Sequence, residues 1–198
     1  DTSKIGLADF FAAMMNEDTR NYTAERMAVE LQKLGSTINV SGSFNGTTFN
    51  VQSLKKNLDK TLALLEERIF YPKFTEASFS RLQKQIIEGF KQSKSQPAFI
   101  ATQNFDKIIY NAGNFLTLSK NGTERTVKDL TISDVEKFYA EILSSQGTKV
   151  VVVGDISEAE MLPKLAFLDK LPNRKVELPQ VDYKPRTTDK TIVYLIDI

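Results

Sequence analysis

The sequence predicts an α+β fold in which an antiparallel β-sheet carries helices packed on one of its faces. Two runs with alternating polarity, Thr37 to Ser43 and Thr47 to Ser53, are separated by Phe44-Asn45-Gly46. An Asn-Gly pair between alternating runs is typical of a β-hairpin. A group of helical patterns follows the hairpin without an intervening strand, which favours this class over a doubly wound parallel sheet.

Two helices are predicted before the hairpin. The first runs from about Ile5 to Met15, and one of its faces is an apolar stripe at helical spacing, formed by Leu7, Phe10, Phe11 and Met14. Thr23 is the expected N-cap residue of the second helix, because its hydroxyl can accept a hydrogen bond from the first turn. Gly35 stands where a glycine commonly ends a helix.

The hairpin is followed by three predicted helices. A long amphipathic helix from Leu54 to Ile69 ends at Tyr71-Pro72, and its residues Glu66, Glu67 and Arg68 are predicted to form an exposed face. Thr75 is the expected N-cap of the next helix. A further helix is predicted from about Ala98 to Tyr110, after the break at Pro97.

The C-terminal part is predicted to mix helices and strands. After a long loop that contains Asn111, Gly113 and Gly122, Thr131 or Ser133 opens a helix that runs through Leu143, and Ser157 caps a short helix.

Two apolar runs in this part predict strands. The β-branched run Lys149 to Val153 predicts a buried strand, and Thr191 to Ile198 predicts a final strand. Residues 172–189 contain three prolines and have linker composition. We expect a single domain over residues 1–198, as a piece of a longer chain.

Composition restricts the chemistry. The chain has 198 residues and contains neither His nor Cys. Ser-His-Asp and Cys-His catalysis are thereby excluded, and a zinc site held by this chain alone is disfavoured, because zinc prefers imidazole and thiolate ligands. Lys plus Arg is 26 and Asp plus Glu is 25, so there is no electrostatic case for nucleic acid. No apolar run approaches the about 18 residues of a membrane span.

The first helix has a second face that bears on function. Asp9, Ala12 and Ala13 share this face at i, i+3 and i+4, opposite the apolar stripe. Two zinc ligands and a general base have this spacing in the inverted zinc motif His-x-x-Glu-His. The helix therefore has the spacing of a catalytic motif but lacks its functional atoms.

Nearly the whole chain resembles the M16 zinc peptidases, the group of insulinase, pitrilysin and mitochondrial processing peptidase. Besides the hairpin and the long helix, the resemblance rests on the order of short segments: Gly6-Leu7-Ala8, Leu34-Gly35, Tyr71-Pro72, Gly122-Thr123-Glu124, Phe138-Tyr139, Val151-Val152-Val153-Gly154-Asp155 and Val193-Tyr194-Leu195-Ile196-Asp197. The implied fold is the LuxS/MPP-like metallopeptidase domain.

The resemblance also assigns the positions of the zinc site. Asp9 takes the place of the first His, Ala12 that of the catalytic Glu and Ala13 that of the second His. Glu88 matches the third ligand, a Glu on a later helix. One ligand position of the family is thus kept by residue type, and we expect no bound metal, no cofactor and no hydrolysis by this chain.

The resemblance implies a function as well. M16 proteins pair a zinc-bearing half with a half that lacks the motif, and the two enclose a peptide. The chain is thus expected to be a non-catalytic domain whose partners are a catalytic half, on the same chain or a separate one, and a peptide. Bacterial proteins of this layout are often periplasmic or associated with the cell envelope.

Other interpretations stay open. A structural or interaction domain of the same fold, with no link to proteolysis, is the main alternative, and an enzyme that uses carboxylates alone ranks last. Asp9 is more simply a solvated helix residue and Glu88 a surface carboxylate. The two carboxylates would make a poor Ca²⁺ site without further oxygen ligands.

Overall fold

The computed structural model describes residues 2–43, 45–110, 115–176 and 189–195. Within these ranges the chain forms helices α1 (Leu7–Met14), α2 (Ala24–Leu34), α3 (Leu58–Phe70), α4 (Glu76–Ser93), α5 (Pro97–Tyr110), α6 (Glu124–Lys128), α7 (Ile132–Ile142) and α8 (Glu158–Lys164), and strands β1 (Thr37–Ser43) and β2 (Gly46–Gln52). Several sequence predictions fall outside the described residues: Phe44 of the hairpin, Asn111 and Gly113 of the loop, most of the linker-like segment and residues 196–198.

Local side-chain chemistry sets the helix boundaries. The predicted N-cap residues Thr23, Thr75, Thr131 and Ser157 each accept a hydrogen bond from the backbone N–H three residues later, at 3.2–3.3 Å. Gly35 ends α2 in the left-handed conformation with φ of 58°, as predicted. The sequence patterns did not predict α6, which is a single short helix capped by Thr123.

The hairpin is confirmed as an antiparallel pair in which Val40 lies opposite Phe49. Residues of β1 alternate between exposed and buried, so Ile38, Val40 and Gly42 face the protein interior. Helix α1 packs against this face of β1. The α+β class, with an antiparallel sheet and helices on one face, is therefore confirmed.

Two clusters of buried apolar side chains form the core. The first surrounds α1 and includes residues of β1, α4 and α7, notably Phe10, Phe11, Val40, Phe79 and Val135. The second joins α2, α3 and α8 to Ile38 of β1. Because α1 lies in the centre of the first cluster, its helical surface is covered from several sides.

Two predicted strands are wrong within the described residues. Lys149–Val153 forms no strand, and Val151 and Val153 are 85% and 93% exposed. Residues 191–195 of the predicted last strand form none either. A β-branched run becomes a buried strand only where a neighbouring strand offers hydrogen-bond partners, and the one sheet of the described ranges consists of β1 and β2 alone.

Replacing Gly42 by alanine tests the close packing of β1 on α1. A Cβ atom at Gly42 would lie 2.6 Å from the Ala8 carbonyl oxygen and 3.0 Å from the Asp9 Cα, both backbone atoms. Relieving this overlap requires a backbone shift, so we expect Gly42→Ala to lower the free energy of unfolding by about 1–3 kcal/mol. Urea denaturation followed by circular dichroism measures the change.

Gly89→Ala is the matched control for this prediction. Gly89 lies inside α4, and a Cβ there would meet no atom within 4 Å. We expect the free energy of unfolding of this variant to rise by about 0.5–1 kcal/mol, since alanine stabilises a helix interior relative to glycine. Unchanged stability of Gly42→Ala would contradict the contact between β1 and α1.

Candidate degenerate zinc site

The N-terminal end of α1 lies directly against the loop that precedes α6. Gly6 caps α1 with φ of 98°, and a Cβ there would lie 2.7 Å from the carbonyl oxygen of Asn121. Both the left-handed backbone and the close approach require glycine at this position. The packing brings Lys120 of the loop next to the first turn of α1.

Asp9 forms an ion pair with Lys120. The Lys120 Nζ lies 3.4 Å from the Asp9 Oδ1, and about a third of the Asp9 side chain (32%) is exposed. An ammonium group thus stands beside the carboxylate at the position assigned to the first zinc ligand. The simpler interpretation of Asp9, a solvated helix residue, is compatible with this ion pair and this partial exposure.

Ala12 is buried, although it shares a face of α1 with Asp9 and Ala13 by its spacing. Its exposure is 2%, and it belongs to the core cluster around α1. Asp9 and Ala13, by contrast, are only partly buried. Ala12 is covered because β1, α4 and α7 all pack on α1.

Glu88 is a surface carboxylate, as its simpler interpretation predicted. Its Oε1 accepts a hydrogen bond of 2.8 Å from Lys91 Nζ on the same helix, and half of its side chain (50%) is exposed. This hydrogen bond raises the pKa of Lys91. Helix α4 does pack on α1, where the rings of Phe10 and Phe79 lie 4.9 Å apart. Asp9 and Glu88 nevertheless each pair with a different lysine.

The donor set at these four positions does not fit a zinc ion. Two positions are alanines without a donor atom, and the two carboxylates are engaged by ammonium groups. In the described ranges no group of three or more His, Cys, Asp or Glu residues could hold a metal ion. Helices α1 and α4 carry the four assigned positions, but two of these positions have no ligand atom and the carboxylates of the other two are paired with lysines.

A polar network that the sequence patterns did not reveal lies next to Ala12. The Asn16 Oδ1 accepts hydrogen bonds from Val40 N at 3.0 Å and Arg68 Nη1 at 2.7 Å. Its Nδ2 donates to the carbonyl oxygens of Ala12 at 2.9 Å and Val40 at 2.8 Å. Asn16 thereby ties the end of α1 to β1 and α3.

The predicted exposed face of Glu66, Glu67 and Arg68 is wrong for its last two members. Glu67 is 8% exposed and accepts hydrogen bonds from the backbone and side chain of Asn21, and Arg68 is 4% exposed. Burial lowers the pKa of Arg68, and the nearby Glu17 carboxylate partly offsets this effect. The signal in the sequence was spacing, because Arg68 lies four residues after Leu64 and three after Leu65, both buried.

No helix within the described ranges combines the length and apolar character that crossing a membrane requires.

Comparison with known proteins finds relatives of this chain. A curated relative, the non-peptidase homolog YmxG of Helicobacter pylori, is 24% identical over 194 residues, which are 97% of this chain and 45% of the relative. The chain thus spans about half the length of that relative.

Two solved structures share the fold. The peptidase M16 inactive domain from Pseudomonas fluorescens superposes with a TM-score of 0.82 at 20% identity, covering 93% of this chain and 46% of that one. The periplasmic protease PqqL from Escherichia coli gives 0.80 at 21% identity, covering 93% of this chain and 21% of that one.

Two family models match the sequence, one in its N-terminal part and one in its C-terminal part. The model of insulinase, peptidase family M16, matches residues 1–121, and that of the peptidase M16 inactive domain matches residues 129–197. With these matches and the shared fold, the chain belongs to peptidase family M16.

Proposed function

We propose that this chain is a non-catalytic domain of an M16 peptidase assembly. It forms part of the wall that encloses a peptide, and it pairs with a half that carries the zinc motif, on the same chain or a separate one. The observation that carries the proposal is α1 itself, which keeps the fold of the motif helix while Asp9 is paired with Lys120 and Ala12 is buried in the core.

The chemistry of these positions supports a role without catalysis. A zinc peptidase needs three protein ligands and a carboxylate that takes a proton from the bound water. Ala12 has no group that could accept this proton, and Ala13 has none that could bind a metal. The chain contains no His anywhere that could compensate.

The relatives support the pairing and a location. One family model that matches the chain describes an inactive domain, and PqqL is named a periplasmic protease. We propose that residues 1–198 act as one M16-like domain, that the catalytic half is a further M16 domain, and that the assembly works in the periplasm or cell envelope of a bacterium.

The outer edge of β2 supports contact with an extended peptide. Asn16 holds both the N–H and the carbonyl oxygen of Val40, so these groups point away from β2. Because of the antiparallel register, the N–H and the carbonyl oxygen of Phe49 then point away from β1, and so do those of Thr47. Within the described residues no other element hydrogen-bonds to this edge, which leaves it open for main-chain pairing.

Thr47→Pro tests this edge. Proline removes the outward N–H of residue 47 without removing a hydrogen bond to β1. We expect the affinity for a fluorescein-labelled extended peptide, measured by fluorescence anisotropy, to fall about three- to tenfold. Thr47→Val is the matched control, because it keeps the N–H and loses only the hydroxyl. Equal losses for both variants, or no loss for Thr47→Pro, would argue against peptide binding at β2.

The pairing is tested by purifying the full-length protein from its own cells and identifying what co-purifies in stoichiometric amount. The proposal requires an M16 half with a His-x-x-Glu-His sequence, either within the full-length protein itself or among the proteins that co-purify with it. Stable recovery with membrane-complex subunits and without such a half would instead favour the alternative, a structural domain with no link to proteolysis.

A further inference from the structure

An aromatic cleft of about 430 Å³ lies between α7 and the turn that joins α3 to α4, away from the edge of β2. The residues that line it include four aromatic ones, Phe70, Tyr71, Phe74 and Tyr139. Two of these side chains are fixed by the core, since the Phe74 and Tyr139 rings lie 5.7 Å apart and both contact Phe11. The Tyr139 hydroxyl donates a hydrogen bond of 2.9 Å to the Ile69 carbonyl oxygen, which holds that ring in place.

A short backbone ladder positions a cation over this cleft. Thr19 pairs with Pro72 in an antiparallel bridge, and on its two sides Arg20 N donates to the Tyr71 carbonyl oxygen at 2.9 Å and Lys73 N to that of Asp18 at 2.8 Å. The ladder places the Arg20 guanidinium 4.4 Å from the centroid of the Tyr71 ring. A guanidinium over a ring face keeps its N–H edge available for a carboxylate.

The charged groups at the mouth of the cleft have no ion-pair partner in the described part of the chain. Arg20, Lys73 and Glu136 all line the cleft, and all are exposed. Neighbouring charges do find partners, as in the ion pair between Arg81 and Glu17. The mouth therefore offers two cations and one carboxylate above an apolar wall.

We propose that this cleft binds a ligand in which a carboxylate is attached to an aromatic or branched apolar group. The apolar group packs between the aromatic rings, and Arg20 with Lys73 binds the carboxylate by charge-assisted hydrogen bonds. The C-terminal residue of a peptide and a free amino acid both have this chemistry. In a free amino acid, Glu136 pairs with the ammonium group. This proposal does not rest on the proposed role in a peptidase assembly.

Titration of the ¹⁵N-labelled chain with three phenylalanine derivatives tests the proposal. We expect saturable shifts of cleft residues with N-acetyl-phenylalanine and at least about tenfold weaker binding of its uncharged amide. Tighter binding of free phenylalanine would identify an amino acid as the ligand source, and weaker binding a peptide C-terminus. Equal binding of the amide, or no saturable shift, would overturn the proposal.

Arg20→Gln, with Arg26→Gln as its control, tests the assigned cation. Arg26 also lies over a tyrosine ring, 5.9 Å from the centroid of Tyr22, but it does not line the cleft. We expect Arg20→Gln to weaken the binding of N-acetyl-phenylalanine about tenfold and Arg26→Gln to leave it unchanged. The spectra of the free variants verify that both are folded. The same affinity in both variants would show that Arg20 does not bind the carboxylate of the ligand.

Discussion

Replacing Asn16 by alanine is expected to lower the free energy of unfolding by about 3 kcal/mol or more. The Asn16 side chain makes four hydrogen bonds, and its loss leaves buried backbone groups of Val40 without their partner. It also removes the 2.7 Å contact of the Arg68 guanidinium, whose remaining bond to the Ile38 carbonyl oxygen is 3.4 Å long. Urea denaturation of both proteins at one pH measures the difference.

A double-mutant cycle with Arg68→Met shows whether the buried charge causes the loss. Exchanging a buried charge for an apolar side chain of similar volume is often close to neutral, whereas removing only its partner is costly. We therefore expect Asn16→Ala to cost less in the Arg68→Met background than in the wild type. A loss below about 1 kcal/mol for Asn16→Ala alone would contradict the assigned network.

Restoring a glutamate at position 12 is expected to destabilise the protein rather than to return catalysis. Ala12 is 2% exposed, so Ala12→Glu places a carboxyl group in the apolar cluster around α1 and costs about 3 kcal/mol or more. Ala13→Glu is the matched control, since Ala13 is only partly buried and we expect a smaller loss. Thermal and urea unfolding of the two variants compares these costs.

The pH dependence of Ala12→Glu provides a second test. Burial disfavours the charged carboxylate, so the pKa of this group in the folded state lies above its unfolded value of about 4.3. As pH rises, the introduced carboxyl group therefore loses its proton first in the unfolded state. The loss of stability caused by Ala12→Glu grows with pH between the two pKa values. The variant should be relatively more stable at acidic than at neutral pH. Wild-type stability at neutral pH would instead indicate a solvent-filled cavity at position 12.

Most of the fold could be predicted from local patterns. Each predicted N-cap residue makes its hydrogen bond, and the alternation of β1 correctly placed Ile38 and Val40 inside. These features depend on residues close together in the chain. Strand formation at Lys149–Val153 failed because it depends on a partner strand, which a local run of valines does not reveal.

The candidate site was predictable only in part. The partial exposure of Asp9 and Ala13 on α1 and the exposure of Glu88 on α4 follow from the spacing of these residues relative to the apolar faces. The burial of Ala12 and Arg68 arises from elements distant in sequence that pack on α1 and α3. A charged residue on an apolar stripe, as Arg68 is, indicates a buried network only when its partner is known, and Asn16 lies 52 residues away.

Zinc content and peptide hydrolysis, measured together, show whether this chain is a non-catalytic partner of a zinc-bearing half. Residues 1–198 are assayed alone and after mixing with the zinc-bearing M16 half, which is either the rest of the parent protein or a separate protein of the same organism with a His-x-x-Glu-His sequence. We expect no stoichiometric zinc and no cleavage by residues 1–198 alone, and cleavage by the mixture that exceeds that of the zinc-bearing half by itself. Stoichiometric zinc in residues 1–198, or hydrolysis by them alone, would mean that the chain is catalytic and that its active site lies elsewhere in the fold.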